Sequence, residues 1–170
     1  MNARGVSAMP ADYVRAKKAA QKLIADYKIK TAPIDPEAIA EAEGIEVVYV
    51  KFNGPIADQV AGFSEPKNGR IIVNADLPSN RKTFTIAHEL GHHKLHAAYL
   101  DDEGSYRVFP RFNSYDGPKP SEEQEADAFA AELLVPLEML RKYVDFATPT
   151  ELAGMFLVSR EVVMNRMKWL

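Results

Sequence analysis

An α+β fold, with helices packed on a small three-stranded sheet and a helix-turn-helix-like pair at the C-terminus, is predicted by three observations. Apolar residues recur at helical spacing near both ends of the chain and again around a histidine-rich stretch. Three short runs rich in β-branched and aromatic residues cluster between positions 45 and 75. Asn68-Gly69 joins two of those runs, and both residues take positive φ readily, which signals a hairpin.

Residues 1–9 read as a flexible tail, 10–145 as the main domain, and 146–170 as the helix-turn-helix-like element packed on it. Pro10 to Tyr27 reads as the first helix, with Tyr13, Ala16, Ala20, Leu23, Ile24 and Tyr27 on one side. Asp35 can cap a second, shorter helix that starts at Pro36 and ends near Gly44. Ile45 to Phe52, Val60 to Glu65 and Arg70 to Ala75 read as strands of a mixed or antiparallel sheet. After the loop Asp76 to Asn80, Ser79 or Asn80 can cap a helix from about Arg81 to His96, with Phe84, Ala87, Leu90 and Gly91 on its buried side. Leu100 to Pro120 reads as a long irregular segment.

Ser121-Glu122-Glu123-Gln124 matches a capping box and opens a helix to about Val135, stopped by Pro136. A helix over Leu137 to Val144 is expected next. Thr148-Pro149-Thr150-Glu151 is a second capping box. A turn at Leu157-Val158 and a cap at Ser159 lead to a last helix ending in Trp169-Leu170, with Val162, Val163, Met167 and Trp169 packing inward.

The 170 residues and the apolar fraction of 46% suffice for a real core. A net charge of -3 gives no general basic bias toward nucleic acid. The absence of cysteine excludes disulfides, thiolate catalysis and cysteine metal sites. Positions 1–9 carry no secretory signal, and no apolar run is long enough to span a bilayer, so a cytoplasmic protein without membrane association is expected.

All four histidines fall at His88, His92, His93 and His96. His88-Glu89-Leu90-Gly91-His92 is an HExxH motif. Residues four apart on a helix lie about 40° apart around the axis and roughly 6 Å along it, so two imidazoles can meet one metal. Glu89 sits beside that metal without ligating it and is the candidate catalytic base, taking a proton from the attacking water. His93 lies about 100° around the helix from His92, and a straight helix carries His96 a further turn away. Both suit packing or substrate-side roles better than ligation.

A site of this kind needs a third ligand. With no histidine elsewhere, it falls to a carboxylate of the helix from Ser121: Glu122, Glu123, Glu125 or Asp127. Glu122 shares a face with Ala126, Phe129 and Leu133 that looks turned to the core. Glu123 has Asp127 four residues on, a pair suited to a ligand and a carboxylate orienting a ligand histidine. Acidic residues in a first turn are also favoured by the helix dipole alone, so spacing leaves the choice open.

Thr83-Phe84-Thr85-Ile86-Ala87-His88-Glu89-Leu90-Gly91-His92, followed by Glu123-Gln124-Glu125-Ala126-Asp127-Ala128-Phe129-Ala130-Ala131-Glu132-Leu133-Leu134-Val135-Pro136, resembles the ImmA/IrrE metallopeptidases. The strand ending in Ile72-Val73-Asn74 and the element Leu152-Ala153 … Phe156-Leu157-Val158-Ser159 extend the resemblance over most of the chain. It implies a gluzincin-like site with one Zn2+ per chain held by His88, His92 and Glu123, with Glu122 and Glu125 in reserve. It further implies Glu89 as catalytic base and Asp127 where the family shows Asn or Asp. It implies a zinc endopeptidase that cleaves a helix-turn-helix repressor of a phage, mobile element or stress regulon. Beside zinc, His93, His96, Tyr106, Arg107 and Tyr115 are candidates to meet the transition state or the substrate.

Two other functions compete. One is a zinc-containing regulatory module that binds a repressor or toxin-antitoxin partner without cutting; an intact Glu89 speaks against it. The other is a DNA-binding regulator with a structural metal, in which Arg160, Arg166 and Lys168 of the C-terminal pair meet phosphate. Three charges on a solvated helix, or a surface that docks protein, explain those residues as well.

Overall fold

A computed structural model of the chain describes residues 9–55, 57–97 and 117–170. Its described helices are α1 (Tyr13–Asp26), α2 (Pro36–Ala42), α3 (Ser79–Leu95), α4 (Ser121–Leu134), α5 (Leu137–Leu140), α6 (Pro149–Phe156) and α7 (Arg160–Met167). The strands are β1 (Glu46–Val50), β2 (Gly62–Glu65) and β3 (Arg70–Asn74). The fold is thus α+β, with one mixed sheet in the order β1-β3-β2. β3 pairs parallel with β1, Val48 opposite Ile72, and antiparallel with β2, Phe63 opposite Ile72.

Local chemistry accounts for most boundaries. Asp12 caps α1 by accepting from the Arg15 amide at 2.9 Å, so this helix starts three residues later than its periodicity suggests. Asp35 accepts from the Glu37 and Ala38 amides, and Pro36 opens α2. In the β2–β3 connection, Pro66–Asn68 form a 3-10 turn and Gly69 alone takes the left-handed conformation, at φ 60°. Asn68 therefore does not play the part its pairing with Gly69 suggested.

α3 begins at Ser79 itself, after Pro78, and neither Ser79 nor Asn80 caps it. The capping box expected at Ser121 does not form either. The Ser121 hydroxyl donates to Met9 O at 2.6 Å, while the Gln124 amide donates to Lys119 O at 2.7 Å. The second box is formed in full, with Thr148 and Glu151 satisfying each other's end of α6. α5 ends after Leu140, where turns replace the helix expected to reach Val144, and α7 stops at Met167 rather than at the terminus.

One buried cluster ties these elements together. Ala16 and Ala20 of α1, Ile71 and Val73 of β3, Phe84 and Leu90 of α3, and Phe129 and Leu133 of α4 belong to it. So do Phe156 and Val163 of the C-terminal pair. α4 is sandwiched between α1 and α3, and α3 lies on β2 and β3. Arg166 is buried, donating to Glu132 at 2.7 Å and to Val135 O at 2.9 Å, so it does not face phosphate. Trp169 lies 64% exposed with the Lys17 ammonium over its ring, not packed inward as its spacing suggested. Among the described residues no helix is long and apolar enough to cross a membrane.

Candidate metal centre

α3 and α4 pack face to face, and a glycine sets how closely. A Cβ at Gly91 would lie 2.9 Å from Phe129 Cδ1, so the two helices approach where only hydrogen fits. That contact holds the HExxH turn of α3 against the acidic first turns of α4. His88, His92 and Glu123 are buried there, each about 1% exposed, and each offers one ligand atom within 4.8 Å of the others.

The atoms converge closely. His88 Nε2 and His92 Nε2 are 3.1 Å apart. Glu123 Oε2 lies 3.1 Å from His88 Nε2, and Glu123 Oε1 lies 2.9 Å from His92 Nε2. A tetrahedral ion with bonds of about 2.0 Å separates its ligand atoms by about 3.3 Å. The imidazole nitrogens lie within a few tenths of an ångström of that separation, each faces a different oxygen of the Glu123 carboxylate at a similar distance, and two imidazoles with a carboxylate suit a divalent metal.

The far sides of both imidazoles are held. His88 Nδ1 is 2.8 Å from Asp127 Oδ1, whose other oxygen is paired with Lys119. His92 Nδ1 is 2.9 Å from His96 Nδ1. Burial disfavours the charged imidazole of His88, but bonds to Asp127 and Glu123 outweigh it and push the group up to about 9. Burial likewise opposes ionisation of Glu123, yet His88 and His92 hold its carboxyl well below the usual carboxylate range. Burial also opposes ionisation of Asp127, and its bond to His88 brings it down.

Glu89 is buried beside the cluster, with its carboxylate accepting from Ser64 Oγ at 2.8 Å. β2 reaches that point because Gly62 lets it press onto its neighbours: a Cβ there would meet Ile72 O at 2.5 Å and Thr85 Cγ2 at 2.7 Å. Nothing in the sequence marks Ser64, since a lone serine within a strand carries no motif.

The remaining carboxylates of α4 turn elsewhere. Glu122 is half-buried outside the cluster, and Glu125 accepts from the Asp12 amide and from Arg15. His93 Nε2 is 3.1 Å from Arg70 O, and His96 Nε2 is 2.8 Å from Glu125 Oε2. Burial lowers both histidines. Tyr106, Arg107, Tyr115 and most of the irregular segment lie outside the described residues, as do positions 1–8 of the tail.

The chain has relatives. The peptidase M78 family, described as IrrE N-terminal-like domain, matches residues 40–168. Uncharacterized immunity region protein 2 of Bacillus phage phi105 is 29% identical over 133 residues, covering 77% of this chain and 75% of its own length. Among solved structures, a Mycobacterium tuberculosis transcriptional regulator superposes with a TM-score of 0.63 over 91% of this chain at 19% identity. That likeness is one of fold, and this chain spans 46% of the regulator's length.

Proposed function

The chain belongs to the peptidase M78 family of IrrE N-terminal-like domains, and from that membership and the buried His88–His92–Glu123 cluster we propose that it is a zinc-dependent endopeptidase. The convergence of two imidazoles and a carboxylate, with the far nitrogen of each imidazole already held, is the observation that carries this reading.

His88, His92 and Glu123 would hold one Zn2+ per chain. When bound, zinc supplies a Lewis acid that polarises the scissile carbonyl and acidifies water to a pKa near 7. Glu89 takes the proton of the attacking water and returns it to the leaving amine. Ser64, donating to Glu89 Oε2, steers that carboxylate and leaves its other oxygen for the water. Among the described residues β2 is an edge strand in the sheet order, so an extended peptide can add beside it with main-chain bonds and lie next to Glu89.

The substrate we assign is a helix-turn-helix repressor in the cytoplasm. Family membership and the likeness to a phage immunity-region protein support it. The C-terminal pair is more suited to docking that protein than to DNA, because Arg166 is withdrawn into the core while only Arg160 and Lys168 stay exposed. The test is incubation of a neighbouring repressor with wild type and Glu89→Gln, read by mass spectrometry. Cleavage by wild type alone is expected. Loss of repressor function without cleavage, equal in both proteins, would instead establish a non-cutting binding module.

A further inference from the structure

We propose that His96 and Glu125 are positioning residues for His92, forming a relay that runs from the metal centre to the first turn of α1. The proposal rests on the reading of His92 as a metal ligand.

The relay has a defined direction. With its Nε2 lone pair turned to the cluster, neutral His92 carries its proton on Nδ1. The partner of that proton is His96 Nδ1 at 2.9 Å, which must accept it. His96 therefore carries its own proton on Nε2, aimed at Glu125 Oε2 at 2.8 Å. Each donor meets an acceptor, so one choice of tautomers satisfies the whole chain.

Glu125 is fixed in turn. Its Oε1 accepts from the Asp12 amide at 2.7 Å, and Arg15 Nη2 lies 3.4 Å from Oε2. The same Arg15 nitrogen donates to Leu95 O at 2.8 Å, next to His96 in the chain. Asp12 also caps α1, so its position is set from both sides. His96 reaches this place because it is the residue at which α3 ends, with φ -124° and ψ 8°, and its ring lies 5.1 Å from that of His92 between centroids.

The two ligand histidines are thus oriented differently. His88 leans on one partly exposed carboxylate, while His92 leans on a buried imidazole backed by a carboxylate. Asp12 and Arg15, the outer anchors, precede the residues matched by the family, so this support belongs to the chain's own N-terminal helix. Such outer partners fix the tautomer and ring orientation of a ligand, and losing one costs about 10- to 100-fold in metal affinity.

The experiment is zinc competition against a chromophoric chelator, using the full chain as wild type, His96→Leu, His96→Asn and Glu125→Gln. Thermal unfolding of each metal-free protein is measured alongside. His96→Leu is expected to bind zinc about 10- to 100-fold more weakly. His96→Asn should recover part of that loss, since its amide oxygen can stand where Nδ1 accepts. Glu125→Gln, which spares the buried ring, should weaken binding in the same direction. A cobalt-loaded His96→Leu protein should show an altered visible spectrum, which a purely structural role would not produce. Wild-type zinc affinity in both His96→Leu and Glu125→Gln would overturn the relay alone. A wild-type protein that takes up no zinc would overturn the metal reading beneath it.

Discussion

Replacing Gly91 by alanine tests whether the spacing of α3 and α4 sets metal binding. The new methyl carbon would sit 2.9 Å from Phe129 Cδ1, 3.2 Å from Cγ and 3.3 Å from Cβ. Favourable carbon contacts begin near 3.5 Å, so about 0.6 Å must be found. Rotating the Phe129 ring does not relieve the contact with its Cβ, and that side chain is fully buried. The helices must therefore part or shift. Alanine in a helix interior gains about 1 kcal/mol over glycine, whereas overpacking a dense core costs about 1–3 kcal/mol. The net effect is up to about 2 kcal/mol, or at most about 8 °C in Tm for a chain of this size. The metal is less forgiving. His88 and His92 ride on α3 and Glu123 on α4, and ligand distances tolerate only about 0.2 Å. Gly91→Ala should therefore fold cooperatively yet bind zinc on the order of tenfold more weakly or worse, as measured by chelator competition. Wild-type zinc affinity in a folded Gly91→Ala protein would refute the reasoning.

Ser64→Ala should retain zinc and lose about tenfold in cleavage rate, roughly the loss of one hydrogen bond to a charged group; an unchanged rate would remove Ser64 from the site. Zinc binding should release about one proton at pH 7.5, because metal-free His88 holds its proton up to about 9, and calorimetry in buffers of different ionisation heat reads this directly. Apparent affinity should then rise with pH and level off above 9, and a pH-independent affinity would contradict it. The same shift has a stability sign: it raises the folded-state pKa above the unfolded value near 6.5, so the metal-free fold gains from it below about pH 6.5 and loses that gain as pH climbs toward 9. Arg166→Met should cost about 3 kcal/mol by removing the cationic partner of buried Glu132, whose other oxygen still accepts from Gln21, with zinc affinity intact; an unchanged Tm would show that the pair contributes nothing to folding.

Much of the centre was legible because HExxH is a local device: helix geometry alone places His88 and His92 together. Glu123 was different. Its spacing left four carboxylates open, and the family resemblance singled it out before packing showed it buried against both histidines. Caps were legible where side chain and amide are neighbours with no rival, as at Asp35 and Thr148. At Ser121 a distant carbonyl, Met9 O, took the hydroxyl, and no local rule sees that contact. The same holds for Ser64 against Glu89, 25 residues apart, and for Arg166 against Glu132, 34 apart. The role of His96 was hidden for a further reason: it depends on where α3 ends and on a carboxylate brought in from α4.

The most direct measurement is metal content by mass spectrometry on wild type, His88→Ala and Glu123→Ala, purified without chelator or added metal. About one zinc per wild-type chain, lost in both variants, is the predicted result. A wild-type chain that stays metal-free after zinc is offered back would contradict the account at its centre, and zinc retained by Glu123→Ala would contradict the assigned third ligand.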